Sequence, residues 1–426
     1  MGGSENSVLT RRPMALPARY EVSGFLPLLM LFYGFLPLAD IVSGALSTFY
    51  EIGWFATAYK AGSLLLLMLF AIAGRIRTGY AAFSVVIITL LILGAGVRQS
   101  TGYGGLSDDM VFIARGPILL SAILIVMMSL GHSEVEKVAR IFFVSTWFAT
   151  TLSIFITNWL GISLVTYNAG YGAKGFYQAA NEVTLGFVLS WWYMQTRMVK
   201  NLWQSGLIFL STLFLIYTLG TKSGFVVIPI LGLWYIGRWL RFNRFANLFV
   251  FLSVSLITSI FAGSIFLAVL PYLPAAESSI FFINTYGVDT TLTGGRFIDL
   301  DAIIRFIETY SFGELLFGMG FENFWFAIDG SSVESDLIDT LGGGGIIFAG
   351  WFYGMLLWGY KCSKAILPNG KAIDTEWSFV FIAAIMYSIF VGHVAFAATP
   401  LITLAMFLAL AYKERPIEDR ARSVVV

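Results

Sequence analysis

The chain has 426 residues, of which 58% are hydrophobic, 16% aromatic and 12% charged, with a mean hydropathy of +0.81 and a formal net charge of +1. This composition lies far outside the soluble range and contains no basic domain of the nucleic-acid-binding type. One cysteine, Cys362, excludes an intrachain disulfide, and two histidines, His132 and His393, argue against a histidine-rich metal site.

The N-terminus carries Arg11, Arg12 and Arg19 ahead of an apolar segment, which suits a retained first span better than a cleaved signal peptide. Windows long enough to cross a hydrocarbon core of about 30 Å fall near residues 22–41, 54–73, 80–97, 110–130, 141–160, 181–199, 205–220, 223–240, 245–270, 341–360, 377–392 and 394–412. Backbone groups in lipid must pair within their own segment, so these windows are expected to be helices. The expected fold is an all-α polytopic membrane protein with about 12 transmembrane helices. Spans 1–9 occupy residues 1–270, a large loop with amphipathic helices 271–340, and spans 10–12 with a tail 341–426.

Placing the N-terminus in the cytoplasm puts 19 of the 26 Lys and Arg residues on inner loops and tails, among them Arg75, Arg77, Lys137, Arg140, Arg197, Lys200 and Lys361. The even number of spans returns the C-terminus to the same side. The remaining seven, Lys60, Arg98, Arg115, Lys174, Lys222, Arg296 and Arg305, fall on outer loops or the outer halves of spans. A cation near the membrane is costly and takes a partner. Asp40, Glu51, Asp108 and Asp109 are available as structural partners, and an anionic phosphate is the functional alternative.

The outer segment between the fifth and sixth spans contains Tyr167, Asn168, Tyr171, Lys174, Phe176 and Asn181. Aromatic faces between glycines suit a glycan groove, or equally a loop resting in the interfacial aromatic belt. The later loop, from Pro271 to Leu341, holds eleven of the 25 acidic residues against two basic ones. Phe297, Leu300, Ile303, Ile304 and Ile307 recur at helical spacing and predict an amphipathic helix on the membrane surface, with Arg296 in its first turn. There, free backbone N–H groups already favour an anion. Arg305, nine positions on and about 900° around the helix, faces the opposite way and suits ion pairs with Asp301 and Glu308. Asp299-Leu-Asp301 has the Asp-x-Asp form of metal-dependent transferases, but two helical positions lie about 200° apart, which argues against a shared metal.

A second amphipathic run is expected through Phe321, Phe324, Trp325 and Ile328. Ser331-Ser-Val-Glu334 then fits a capping box at the start of the helix leading into the tenth span. Alternatively Glu334 is a carboxylate that accepts a proton from a hydroxyl. Glu334 and Asp336 are about 200° apart, so at most one faces a shared cavity, with Asp336 on the side expected to be wetter.

The ordered motifs Lys174-Gly-Phe176 with Asn181, Thr221-Lys222-Ser223, Gly294-Gly-Arg296, Gly318-Met-Gly320 and Glu334-Ser-Asp336 with Gly345 and Gly350, on this topology, resemble the O-antigen polymerase and O-antigen ligase superfamily. Ligases of this kind carry a His-Asn pair where Glu334-Ser335 aligns, so the resemblance favours the repeat-unit polymerases. It implies a GT-C-like membrane glycosyltransferase of the bacterial inner membrane, with a large periplasmic loop and both termini cytoplasmic. It would act on undecaprenyl-pyrophosphate-linked glycans, both donor and acceptor, without a cofactor or metal. A chain-length regulator and a flippase are implied partners, and nucleic acid is not. Arg296, Lys222, Arg98, Arg115 and Lys174 would hold the donor pyrophosphate. Tyr167, Tyr171, Phe176 and Asn181 would line the glycan path, and Glu334 or Asp336 would activate the acceptor hydroxyl. A ligase using another acceptor, or a twelve-helix flippase or transporter, is the alternative.

Overall fold

The computed structural model describes residues 24–73, 76, 78–100, 106–165, 173–177, 180–219, 221, 300–328, 335–366, 372–374, 376–392 and 394–414. Their helices are α1 (Leu26–Tyr50), α2 (Phe55–Ile72), α3 (Thr78–Ser100), α4 (Leu106–Ile113), α5 (Leu119–Ser129), α6 (His132–Trp159), α7 (Ala180–Arg197) and α8 (Leu202–Leu219). After these come α9 (Leu300–Glu308), α10 (Phe312–Phe317), α11 (Phe321–Ala327), α12 (Asp336–Cys362), α13 (Glu376–Phe390) and α14 (Ala398–Glu414). A short antiparallel pair, β1 (Lys364–Ile366) and β2 (Ala372–Asp374), links α12 to α13.

Among the described residues, six helical segments are long and apolar enough to cross a membrane: Leu26–Tyr50, Phe55–Ile72, Ala81–Ser100, Asp109–Ser129, His132–Trp159 and Asp336–Cys362. Side-chain distribution supports the same reading. Leu31, Phe35, Leu65, Met68, Val85 and Val86 point outward, whereas Thr146, Thr150, Ser190, Thr212 and Ser388 are buried. A surface of that kind is stable against hydrocarbon, and a buried hydroxyl needs a protein partner. Trp147 Nε1 accordingly donates to Thr212 Oγ1 at 3.0 Å between α6 and α8, and Tyr353 and Ser388 hydroxyls join α12 to α13 at 2.7 Å. The expected windows at 223–240 and 245–270 lie outside the described residues.

At the centre of the bundle lie α5 and α14, both buried along nearly their whole length, with α14 packed on α5, α6 and α7. Contacts between helix termini mark two distinct ends of the bundle: Arg197 with Glu414 and Lys413 with Met128 at one, Asp336 with Val394 at the other. One end carries Lys137, Arg140, Arg197, Lys200, Lys361 and Lys413; the other carries Tyr50, Arg98, Asp336 and the 394–397 turn. At the first end buried Lys413 donates to the carbonyls of Met128 and Leu130, which closes the unpaired C-terminal carbonyls of α5.

Two long helices are interrupted. Between α4 and α5 the chain widens into a π-helical turn, Ala114–Ile118, around Pro117, which has no N–H to offer the helical ladder. In α12, Gly345 adopts φ 69° and ψ −174°, a conformation open essentially to glycine alone.

The segment 310–328 sits against that second break. Met319 N and Gly320 N donate to the carbonyls of Gly342 and Gly343 at 3.1 and 2.9 Å, and Tyr310 Oη donates to the Gly342 carbonyl at 3.1 Å. Phe321 and Phe324 are buried over the same glycines. The run through Phe321 and Phe324 is thus helical, as its spacing predicts, but its aromatic face packs on protein. Ser331 and Glu334, the expected capping box, lie outside the described residues; α12 starts at Asp336 with Ser335 at its N-cap position, and a Ser-x-x-Glu box heads α10 at Ser311 and Glu314.

Candidate functional site

A cavity of about 250 Å³ opens at the Asp336 end, between α1, α2, the π-helical turn and the start of α14. Three polar groups meet in its wall. Lys60 Nζ lies 2.6 Å from Asp40 Oδ1, and Thr399 Oγ1 donates to Asp40 Oδ2 at 2.8 Å. Lys60 Nζ is also 3.4 Å from Thr399 Oγ1. The pair therefore ties three helices together, with 15% and 11% of the two side chains exposed. The hydroxyl of Thr399 points its proton at the carboxylate, leaving an oxygen lone pair toward the ammonium.

Arg115 lines the same cavity from the π-helical turn and is exposed. No hydrogen bond or ion pair joins it to another described residue. Lys60 and Asp40 compensate one another, so the charged residues lining the cavity among those described sum to a single positive charge, carried by Arg115. Ile118, Leu119, Val183 and Phe396 supply apolar walls. Such a site suits an anion with an apolar or weakly polar remainder.

Above the cavity lies the turn 173–177. Lys174 N donates to the Leu164 carbonyl at 2.9 Å, and Leu164 N to the Gly175 carbonyl at 2.9 Å, which pins the turn beside the end of α6. The Phe176 carbonyl approaches Gly44 so closely that a Cβ there would overlap it. Tyr177 is buried, with its hydroxyl 3.0 Å from Thr150 Oγ1; burial pushes this phenol up, so it stays protonated. Lys174 is half-buried, and burial pushes its ammonium down from the ordinary lysine value.

The remaining expected site residues divide into three groups. Arg98 is buried, not open to a ligand: Nε and Nη2 bond Asp109 Oδ2 at 3.0 and 2.7 Å, and Nη1 donates to the Phe317 carbonyl. Its expected phosphate role is replaced by a structural one. Asp336, expected on a wetter side, is fully buried, and its Oδ2 accepts from Val394 N and Ala395 N at 2.8 and 3.1 Å. That carboxylate fastens α12 to the turn before α14 and is badly placed to take a substrate proton. Phe176 sets its ring edgewise on Phe49 with centroids 5.6 Å apart, and so is already engaged by α1. Asn181 stands in the first turn of α7. Glu334, Arg296, Lys222, Tyr167 and Tyr171 lie outside the described residues.

Of the expected pyrophosphate ligands among the described residues, Arg115 is the one that lines the cavity. Lys60, expected either to pair with one of several carboxylates or to hold a phosphate, joins it there paired with Asp40. Thr399 and Tyr177 had no distinguishing signal, because a threonine at a helix start and a tyrosine in an outer loop are ordinary membrane-protein features. No family model, no curated protein and no solved structure matches this chain.

Proposed function

We propose that this protein is a membrane glycosyltransferase that polymerises undecaprenyl-pyrophosphate-linked repeat units on the outer face of a bacterial inner membrane. The observation that carries this reading is Arg115, an exposed guanidinium at a cavity bounded by apolar side chains and by the Asp40–Lys60 pair. The basic residues clustered at the opposite end favour a cytoplasmic setting for that end and an outer setting for the cavity. A polyprenyl pyrophosphate is already a good leaving group, so transfer needs cations at the phosphate and a carboxylate at the acceptor hydroxyl. Arg115 suits the first task. Arg296, Lys222 and Glu334 remain the loop candidates to complete the set, and inversion at the anomeric carbon follows from a base acting on the face opposite the leaving group.

The direct test incubates the purified protein in nanodiscs with lipid-linked repeat units and resolves the products by size. Elongated lipid-linked glycan, formed without ATP, supports the reading; unchanged donor across a panel of repeat units sinks it. A second reading, a transporter of lipid-linked anions, is favoured by the two interrupted helices and the ion pair within the spans. It predicts translocation of the unelongated donor in the same nanodisc-derived vesicles.

A further inference from the structure

We propose that the Asp40–Lys60 pair is a ligand-exchanged switch, in which a doubly charged pyrophosphate draws Lys60 away and thereby frees Asp40 to act as the base. The proposal rests on the glycosyl-transfer reading above and assigns it a catalytic carboxylate within the spans.

Charge balance in the cavity leads to this conclusion. With the pair closed, the described lining residues carry one net positive charge, enough for a single phosphate charge at Arg115. A pyrophosphate diester brings two negative charges. Arg115 answers one, and among the described residues the other cation lining the cavity is Lys60, so the second phosphate competes with Asp40 for that ammonium. Thr399 makes the exchange feasible. It donates to Asp40 Oδ2 and lies within 3.4 Å of Lys60, so Asp40 keeps a hydrogen bond at one oxygen while Oδ1 is released. Lysine is suited to the move because its ammonium is a point charge on a flexible stem. Among the described carboxylates at this end, Asp336 is held by two backbone amides, Asp109 by Arg98 and Phe321 N, and Asp339 by Trp325 Nε1, whereas Asp40 faces the cavity.

The step then balances as follows. The acceptor hydroxyl oxygen forms a bond to the anomeric carbon, and the bond from that carbon to the phosphate oxygen breaks with its electron pair leaving on the pyrophosphate. The hydroxyl proton passes to Asp40 Oδ1. When the pyrophosphate departs, Asp40 gives the proton to cavity water and closes again on Lys60. Donor binding thus switches on the base, which keeps the carboxylate masked when no donor is present.

The test measures binding of three probes to the full chain in nanodiscs: pyrophosphate esterified with farnesyl on one phosphorus and methyl on the other (two charges; hereafter farnesyl pyrophosphate), the farnesyl methyl diester of phosphate (one charge; hereafter farnesyl phosphate) and inorganic pyrophosphate. Arg115→Ala weakens both farnesyl ligands tenfold or more. Lys60→Met weakens farnesyl pyrophosphate by a similar factor and leaves farnesyl phosphate within about twofold. Asp40→Asn, by removing the competitor for Lys60, tightens farnesyl pyrophosphate severalfold while abolishing elongation. Equal or weaker binding in a monodisperse Asp40→Asn protein overturns the switch. Inorganic pyrophosphate binding as tightly as the farnesyl compound assigns the site to a free anion and overturns the lipid-donor role.

A second measurement covers the case in which Asp40→Asn does not fold. Wild-type protein carrying ¹³C-carboxyl aspartate is titrated with farnesyl pyrophosphate and followed by difference infrared spectroscopy. A shift of one carboxylate band that is absent from the Asp40→Asn/Lys60→Met double variant supports the exchange; no shift at saturation overturns it. If the binding pattern holds but no repeat unit is elongated by any preparation, the anion switch stands and the glycosyl-transfer reading fails.

Discussion

Arg98 and Asp109 meet at 2.7 Å near the ends of α3 and α4, and together they hold a segment more than 200 residues further along the chain. Asp109 Oδ1 accepts from Phe321 N at 3.1 Å, satisfying a free N–H at the start of α11, while Arg98 donates to the Phe317 carbonyl ahead of it. The pair clasps both sides of the Gly318–Gly320 turn. It is a positioning device: it sets where the outer segment enters the bundle, close to the head of α12.

Removing one partner of this buried pair leaves an uncompensated charge, which costs about 3–5 kcal/mol. Arg98→Ala and Asp109→Ala are each expected to lower thermal stability in detergent by an amount of that order. Arg98→Met combined with Asp109→Leu should recover much of it, measurable by differential scanning fluorimetry. A single variant as stable as the parent would remove the clasp.

Gly318 has φ 74° and ψ 176°, and a Cβ there would overlap the Gly343 carbonyl. Gly318→Ala is expected to cost at least about 1–3 kcal/mol from backbone strain alone, and to undock residues 312–328 from α12. Limited proteolysis should then cut within 310–328 well before the spans are attacked. An unchanged cleavage pattern would show that the close approach is not needed.

Asp336→Ala strips two buried backbone N–H groups of their acceptor, a loss of about 1–3 kcal/mol for each group left unpaired. Stability should fall, and the main hydrogen-exchange change should appear at Val394 and Ala395. Asp336→Asn keeps an acceptor oxygen and should retain most of the stability along with measurable elongation. Complete loss of turnover in a stable Asp336→Asn protein would restore Asp336 to the chemistry.

Lys174 gives a pH signature. Burial holds its folded value below the ordinary 10.5, so the folded state binds this proton less tightly than the unfolded one. Stability from this group therefore rises as pH climbs from below the depressed folded value towards 10.5, and is lowest while both states are protonated. Lys174→Met should flatten that alkaline rise in a series of thermal melts; a slope identical to the parent's would show that Lys174 is not the source.

Much of the helical content was legible from hydropathy because lipid leaves the backbone no partner but itself. The windows at 54–73, 141–160 and 341–360 correspond to α2, α6 and α12 with ends shifted by a few residues or by a turn or more. Asp40 and Lys60 were legible as charges within spans that need partners. Their third partner was not, since Thr399 lies 339 residues from Lys60 and nothing local marks it. Arg98 misled for a related reason. Its position near a membrane surface suits a phosphate or an aspartate equally, and the packing of α3 against α4 chose the aspartate.

The sequence alone determined that this chain is a helical membrane protein and which residues are costly to bury, because both depend on local composition summed over about twenty positions. The tertiary structure decided which of those costly residues satisfy one another, and it leaves Arg115 facing the cavity with no hydrogen-bond or ion-pair partner among the described residues. That outcome depends on the rotation and docking of whole helices: the π-helical turn sends Arg115 into the cavity, and the glycine break in α12 receives the outer segment. Neither contact has a signature within a single hydropathy window.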